Sequence, residues 1–209
     1  MAPPKTIGSE EINAAIDRLA AAIAERHGRS ARLLLLGIAN GGIELVRRLA
    51  LRLAAAHPAN AEVRPPPARG RAPVSDRGSA PRARAGTLDI SFHRDDFARH
   101  PIPKEFAPTH IPFDVDGATV ILVDDVLFSG RTVKAALDEL FDHGRPTRVE
   151  LAILVDRGGR RLPVAADYCG LVVAASPSEK VVVRLDGDDP SRDILRIEPL
   201  PPAPRNSPV

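Results

Sequence analysis

The chain has a single cysteine, Cys169, among its 209 residues. One thiol cannot close an internal disulfide or build a structural zinc site alone, so a reducing, cytoplasmic setting is expected. Tryptophan is absent, Tyr168 is the one tyrosine, and aromatics total 3%. That scarcity argues against nucleic-acid binding through several stacking platforms. No apolar run reaches the ~20 residues that cross a bilayer. Residues 1–8 lack the apolar core of a secretion signal, so no membrane contact is expected. The net charge is only +2, which gives no polyanion-binding excess. His93, His100, His110 and His143 have no metal-ligand spacing. Cys169, in an apolar stretch, reads as an inert buried thiol. Asp186-Gly-Asp-Asp189 lacks the other ligands of a calcium loop and reads as a hairpin turn.

Apolar residues at 44% and charged residues at 27% match an ordinary globular chain of about one domain. Ile12, Ala15, Ile16, Leu19 and Ile23 recur at helical steps after Ser9-Glu-Glu11. Leu33-Leu-Leu-Leu-Gly-Ile38 is a strand covered on both faces. The turn Ala39-Asn-Gly-Gly42 follows, then a helix from Ile43 to about Ala56. Asn60 to Gly86 holds six arginines and five prolines and too little apolar surface to offset ordering. It reads as a mobile, solvated insertion, with an RNA-contacting arm as the alternative. Thr87–Phe92 reads as a strand, and the Pro-bearing stretch to Pro112 as a long loop. Next come a strand at Ala118–Val123, a loop at Asp124–Arg131 and a helix from Thr132 to about Asp142. The apolar face of that helix is Val133, Ala136, Leu137, Leu140 and Phe141. Arg148–Val155 is another buried strand, and short strands follow at Tyr168–Ala175, Val181–Leu185 and Ile194–Ile197. The alternation predicts an α/β fold with a central, mostly parallel sheet flanked by helices.

The chemistry concentrates in Val120-Ile-Leu-Val-Asp-Asp-Val-Leu-Phe-Ser-Gly-Arg-Thr132. An apolar strand delivers Asp124 and Asp125 to the carboxyl edge of the sheet, where ligands of parallel sheets bind. Ionised carboxylates accept hydrogen bonds from vicinal sugar hydroxyls. Ser129-Gly-Arg-Thr132 then opens a helix. Its glycine, hydroxyls and free amides suit an anion. A sugar 5′-phosphate fits this combination, and the Gly-Lys-Ser/Thr of a P-loop is absent.

The thirteen-residue string resembles the phosphoribosyl-diphosphate (PRPP) loop of type I phosphoribosyltransferases. More narrowly, the chain resembles the PyrR family, bifunctional pyrimidine-operon regulators and uracil phosphoribosyltransferases. Further matching segments are Leu88-Asp-Ile-Ser-Phe-His-Arg-Asp-Asp96, Ile111-Pro-Phe-Asp114, Leu154-Val-Asp-Arg-Gly158, Leu162-Pro-Val-Ala-Ala-Asp-Tyr168 and Ser178-Glu-Lys-Val-Val-Val183. The resemblance implies a type I phosphoribosyltransferase fold with a small hood. It places the domain at 9–198, the Arg/Pro-rich insertion at 59–86 and the hood at 156–175. Residues 1–8 and the Pro-rich 199–209 would be flexible ends.

By the same resemblance, Asp124 and Asp125 would hold the ribose hydroxyls, with Val126, Leu127, Phe128, Ser129, Gly130, Arg131 and Thr132 around the 5′-phosphate. Ala39, Asn40 and Gly41 would form the pyrophosphate loop, and Arg94 would approach from a lid. Asp156, Arg157 and Val181 would line the base pocket. Mg²⁺ would be held through PRPP and water, as a hard cation prefers. The implied reaction joins uracil to PRPP, giving UMP and pyrophosphate. Uridine nucleotides (UMP, UTP) would act as regulators, RNA would be a further partner, and a homodimer or higher homo-oligomer is expected. The 6-oxopurine enzymes with this loop carry an Asp where Phe128 stands, so a pyrimidine is favoured.

The loop reads Asn40-Gly41 where the PyrR family often has a polar-basic pair, and Gly159 stands where its hood usually has His. Two other readings follow: an RNA-binding regulator on this fold with weak or no catalysis, and a phosphoribosyltransferase for another base.

Overall fold

A computed structural model describes residues 5–28, 32–56, 83–93 and 108–200. The chain runs β1 (Lys5–Ile7), α1 (Ser9–His27), β2 (Leu33–Ile38), α2 (Gly42–Ala56), β3 (Ala83–Leu88), β4 (Thr119–Leu127), α3 (Arg131–Asp142), β5 (Arg148–Asp156), β6 (Tyr168–Val172), β7 (Glu179–Arg184) and β8 (Ile194–Pro199). A five-stranded sheet has the order β3-β2-β4-β5-β6, and all its pairings are parallel. A three-stranded antiparallel sheet has the order β1-β8-β7.

Alternation along β2 explains why the whole strand is buried. Leu33 and Leu35 join a cluster with Ile12, Ile16, Leu19 and Ile23 of α1 and Leu45 and Leu49 of α2. Leu34, Leu36 and Ile38 face the opposite cluster, with Val133, Ala136 and Leu140 of α3. The small sheet closes the first layer through Leu195 and Ile197. Arg48 of α2 pairs with the buried Asp193 just before β8. No helix among the described residues is long and apolar enough to cross a membrane.

Several sequence expectations shift. Lys5–Ile7, expected as part of a flexible lead, pair with β8. Ala83–Gly86, assigned to the insertion, lie in β3, while residues 59–82 fall outside the described residues. Ala83-Arg-Ala-Gly86 carries no large apolar residue, which concealed the strand. At Gly86 the segment at 110–112 crosses closely: a Cβ there would collide with the His110 carbonyl. The strand expected at Thr87–Phe92 therefore ends at Leu88, and Ser91–His93 form a 3-10 turn. β4 continues past Val123 to Leu127 because its pairing with β5 runs on to Leu127↔Asp156. β6 stops at Val172. Phe141, expected on the buried face of α3, is exposed, as is Cys169. Tyr168 takes the inward position of the edge strand β6, so its neighbour turns out. The hood expected at 156–175 contributes β6 to the main sheet, whereas the separate small sheet is built from β1, β7 and β8.

Candidate active site

Parallel order brings the carboxyl ends of β2, β4 and β5 to one edge of the sheet. β4 supplies the acid pair. Asp124 is buried, at 6% exposure, and its Oδ1 accepts from the Asp125 amide at 3.0 Å. Burial, then the neighbouring Asp125, pushes the Asp124 carboxyl well above its ordinary range. Burial likewise raises Asp125. Both are held in a site that disfavours their charge. A ligand that donates hydroxyls or brings positive charge relieves that cost.

The turn after β2 lies directly on this pair. Gly41 faces the Asp125 carboxylate so closely that a Cβ would fall 2.5 Å from its Cγ and 2.7 Å from Oδ2. Gly42 packs equally tightly on the Val123 carbonyl. The Ala39 amide donates to the Leu88 carbonyl at 3.0 Å, anchoring the turn to β3. The Ala39–Asn40 peptide is cis. Ala39, Asn40, Gly41 and Asp125 are thus brought together.

The segment Phe128–Gly130 leads from β4 into α3. Gly130 adopts φ 90°, a left-handed conformation open to glycine, and α3 has no side-chain cap. The Leu127 carbonyl accepts from the Arg157 amide at 3.2 Å and from Arg160 Nη1 at 3.3 Å. The Phe128 carbonyl accepts from Arg160 Nη1 at 2.9 Å. The Ser129 carbonyl accepts from the amides of Arg161 and Leu162 at 3.0 and 3.1 Å. Three successive carbonyls therefore point at segment 157–162. In a trans peptide the N–H lies opposite the C=O, so the amides of Phe128, Ser129 and Gly130 point away from that segment. Beside the first turn of α3, where the Arg131 amide donates to Ser129 Oγ at 3.4 Å, they form an amide-lined cup suited to an anion.

On the β5 side, Arg157 stacks its guanidinium on the Phe128 ring, 4.0 Å from the centroid. Its Nη1 and Nη2 donate to the carbonyls of Glu179 and Ser176 at 3.0 and 3.2 Å. Its buried Nε has no hydrogen-bond partner among the described residues. Phe128 stays 40% exposed, and Gly159 abuts its edge, where a Cβ would sit 2.6 Å from Cε2. Asp156 pairs with Arg160 and accepts from the Gly158 amide at 2.8 Å. Val181 packs on the same cluster as Val126. Thr132 and Arg131 are exposed on the first turn of α3. Arg94, expected from the lid, lies outside the described residues.

A family model described as "Phosphoribosyl transferase domain" matches residues 8–184. Among curated relatives, "Bifunctional protein PyrR" of Chloroflexus aurantiacus is 42% identical over 184 residues, covering 88% of each chain. The protein of the same name from Streptomyces coelicolor is 42% identical over 195 residues, covering 93% of this chain and 89% of its own. The chain belongs to the PyrR family of phosphoribosyltransferases. Solved structures agree at the level of fold. The hypoxanthine phosphoribosyltransferase of Trypanosoma cruzi, in complex with the product IMP, superposes with TM-score 0.60 at 20% identity over 95% of this chain and 91% of its own. A hypoxanthine-guanine phosphoribosyltransferase of Bacillus anthracis gives TM-score 0.55 at 17% identity, over 84% of each chain.

Within this PyrR-family chain, the acid pair and the Phe128–Gly130 segment singled out in the sequence lie together at the sheet edge, whereas Arg160 was not among the residues expected there. Its only sequence signal is an arginine four residues after Asp156, across Gly158-Gly159. A fork-shaped donor placed to span a turn from its far side is consistent with that spacing, but only the fold brings Leu127 and Phe128 within its reach.

Proposed function

We propose that this phosphoribosyltransferase transfers the phosphoribosyl group of PRPP to uracil, giving UMP and pyrophosphate. One observation carries the choice of base. Phe128, stacked beneath Arg157 at the base side of the cup, offers no acceptor where 6-oxopurine enzymes carry an aspartate. The name PyrR borne by the relatives supports the same reading.

The ring N1 of uracil attacks C1′ of the ribose as the bond from C1′ to the pyrophosphate oxygen breaks, and the N1 proton passes to the departing pyrophosphate or to water. Positive charge develops on the sugar and negative charge on the leaving group. Asp124 and Asp125 face the cationic ribosyl and accept its hydroxyls. Relief of their buried, mutually repelling charge would draw the sugar into place. The cup amides hold the 5′-phosphate, and the Ala39-Asn-Gly41 turn and Arg94 would receive the pyrophosphate. Mg²⁺ fits this oxygen-rich setting. Asp125 lies against the pyrophosphate turn, and a hard cation that keeps several of its waters would be held there through PRPP oxygens and water. Bound there, it would neutralise the departing pyrophosphate.

The test is direct. The protein is mixed with PRPP, Mg²⁺ and either labelled uracil or hypoxanthine. UMP should form, with hypoxanthine turned over at least tenfold more slowly, a difference of about 1.4 kcal/mol. Faster nucleotide formation from hypoxanthine would overturn the assignment.

A second reading is favoured by Asn40-Gly41, which puts no basic side chain in the pyrophosphate turn. In it, the chain is an RNA-binding, uridine-nucleotide-responsive regulator with weak catalysis, acting in the cytoplasm as a homo-oligomer. Salt-sensitive RNA binding that responds to UMP, without UMP synthesis, would favour it.

A further inference from the structure

We infer that Arg160 is a positioning residue for the 5′-phosphate cup, holding its amides in anion-binding orientation from the outside. This rests on the phosphoribosyl reading of the site. Four of the five N–H donors of the guanidinium have partners. Nη1 donates to the carbonyls of Leu127 and Phe128, Nε to the carbonyl of Val164 at 3.2 Å, and Nη2 pairs with Asp156.

Three physical points follow from that geometry. First, a cup of amides works only if the carbonyls on the same peptides point elsewhere, and Arg160 holds two of the three that do. Second, a cation behind the carbonyl ends of these peptides stabilises their outward orientation with charge-assisted bonds stronger than neutral ones. Third, Asp156 joins the same guanidinium, so the cup and the segment that borders Phe128 share one anchor. The fork matters as much as the charge. A lysine would reach as one ammonium and could not bridge Leu127, Phe128, Val164 and Asp156 together. Arg160 touches no reacting atom in this scheme. Its effect on substrate passes through the backbone of Leu127 and Phe128.

The experiment compares the full-length wild type with Arg160→Lys and Arg160→Met by calorimetric titration of ribose 5-phosphate and, separately, of pyrophosphate with Mg²⁺. Thermal unfolding of each protein is recorded alongside. R160M should weaken ribose 5-phosphate binding roughly tenfold or more, on the scale of a lost charge-assisted hydrogen bond. R160K should recover part of that loss. Pyrophosphate affinity should stay within twofold in all three proteins. A merely structural arginine predicts a different pattern: a lower Tm, with either no change in ribose 5-phosphate affinity or an equal fall for both ligands. Either result overturns the inference. If R160M does not fold, R160K decides alone, because it keeps the stem and the charge but not the fork. Wild-type binding of ribose 5-phosphate without UMP synthesis would overturn the uracil assignment and leave the Arg160 comparison standing. Absence of wild-type binding to ribose 5-phosphate would overturn the cup itself.

Discussion

A methyl group on Gly41 would stand 2.5 Å from the Cγ of Asp125. The obstructed atoms are the end of a side chain that can rotate away, so Gly41→Ala should cost little stability, about 1 kcal/mol or less. It should still lower kcat/KM for PRPP at least tenfold, because the carboxylate leaves its working position. Unchanged kcat/KM in a folded variant would contradict the role given to Asp125. Asp124 makes the opposite trade. Its folded pKa lies above the ordinary 3.8, through burial first and Asp125 second. A group shifted this way favours folding fully below 3.8 and loses that contribution as pH rises through the raised value. Asp124→Asn should therefore raise Tm at pH 7, with the gain shrinking as pH falls toward 4, while turnover drops sharply. A variant less stable than wild type at pH 7 would refute the burial argument. At this scale the acid pair was legible in the sequence, because a strand ending in two carboxylates has few structural uses. The meaning of Gly41 was not legible. It depends on an approach between β2 and β4 that no local pattern encodes.

At the scale of elements, the small sheet is held to the helical layer by ionic contacts as well as apolar packing. Arg48 is almost wholly buried and bridges Glu44 of its own helix and Asp193, whose side chain is fully buried. Asp193 also accepts from Asn13 of α1 at 3.3 Å and from the Asp186 amide at 2.8 Å. Arg48→Leu would leave a buried carboxylate without its cation, a loss of about 3–5 kcal/mol. Chemical denaturation should show it as a lower midpoint. A loss below about 1 kcal/mol would mean that water reaches Asp193 and screens it. Helix positions were read well from the sequence: Ile12, Ala15, Ile16, Leu19 and Ile23 are all buried. Strands were read well where they were rich in large apolar residues, as in β2 and β5. They were missed in β1, which has only three residues, and in the first half of β3, where Ala83-Arg-Ala-Gly86 offers little apolar alternation. The acids of β4 were assigned to a loop because carboxylates rarely end a strand's buried run, yet the ladder with β5 carries them along.

For the whole molecule, the parallel order β3-β2-β4-β5-β6 gathers the turns after β2, β4 and β5 on one rim. Any ligand bridging them stabilises the native state against the unfolded chain. PRPP at a hundredfold excess over its Kd should add about 2.7 kcal/mol, seen as a rise in Tm. Asp125→Asn should lose most of that rise, while its Tm without ligand at pH 7 lies at or above the wild-type value, because burial disfavours this carboxylate as well. Equal ligand-induced shifts in both proteins would argue against ribose contact at Asp125. The alternation of strands and helices was enough to predict this architecture. The sequence did not show which turn would meet which, because that depends on strand order.

The position of Cys169 also has a practical use. Its thiol is exposed on β6, an edge strand, and donates to the Leu171 carbonyl at 3.2 Å. Partial desolvation by its neighbours pushes the thiol's pKa up even though the residue is exposed, so alkylation at neutral pH should be slow and controllable. With one thiol in the entire chain, a single fluorophore could be installed on that edge strand without mutagenesis. Its accessibility would then report whether another copy of the chain covers this side.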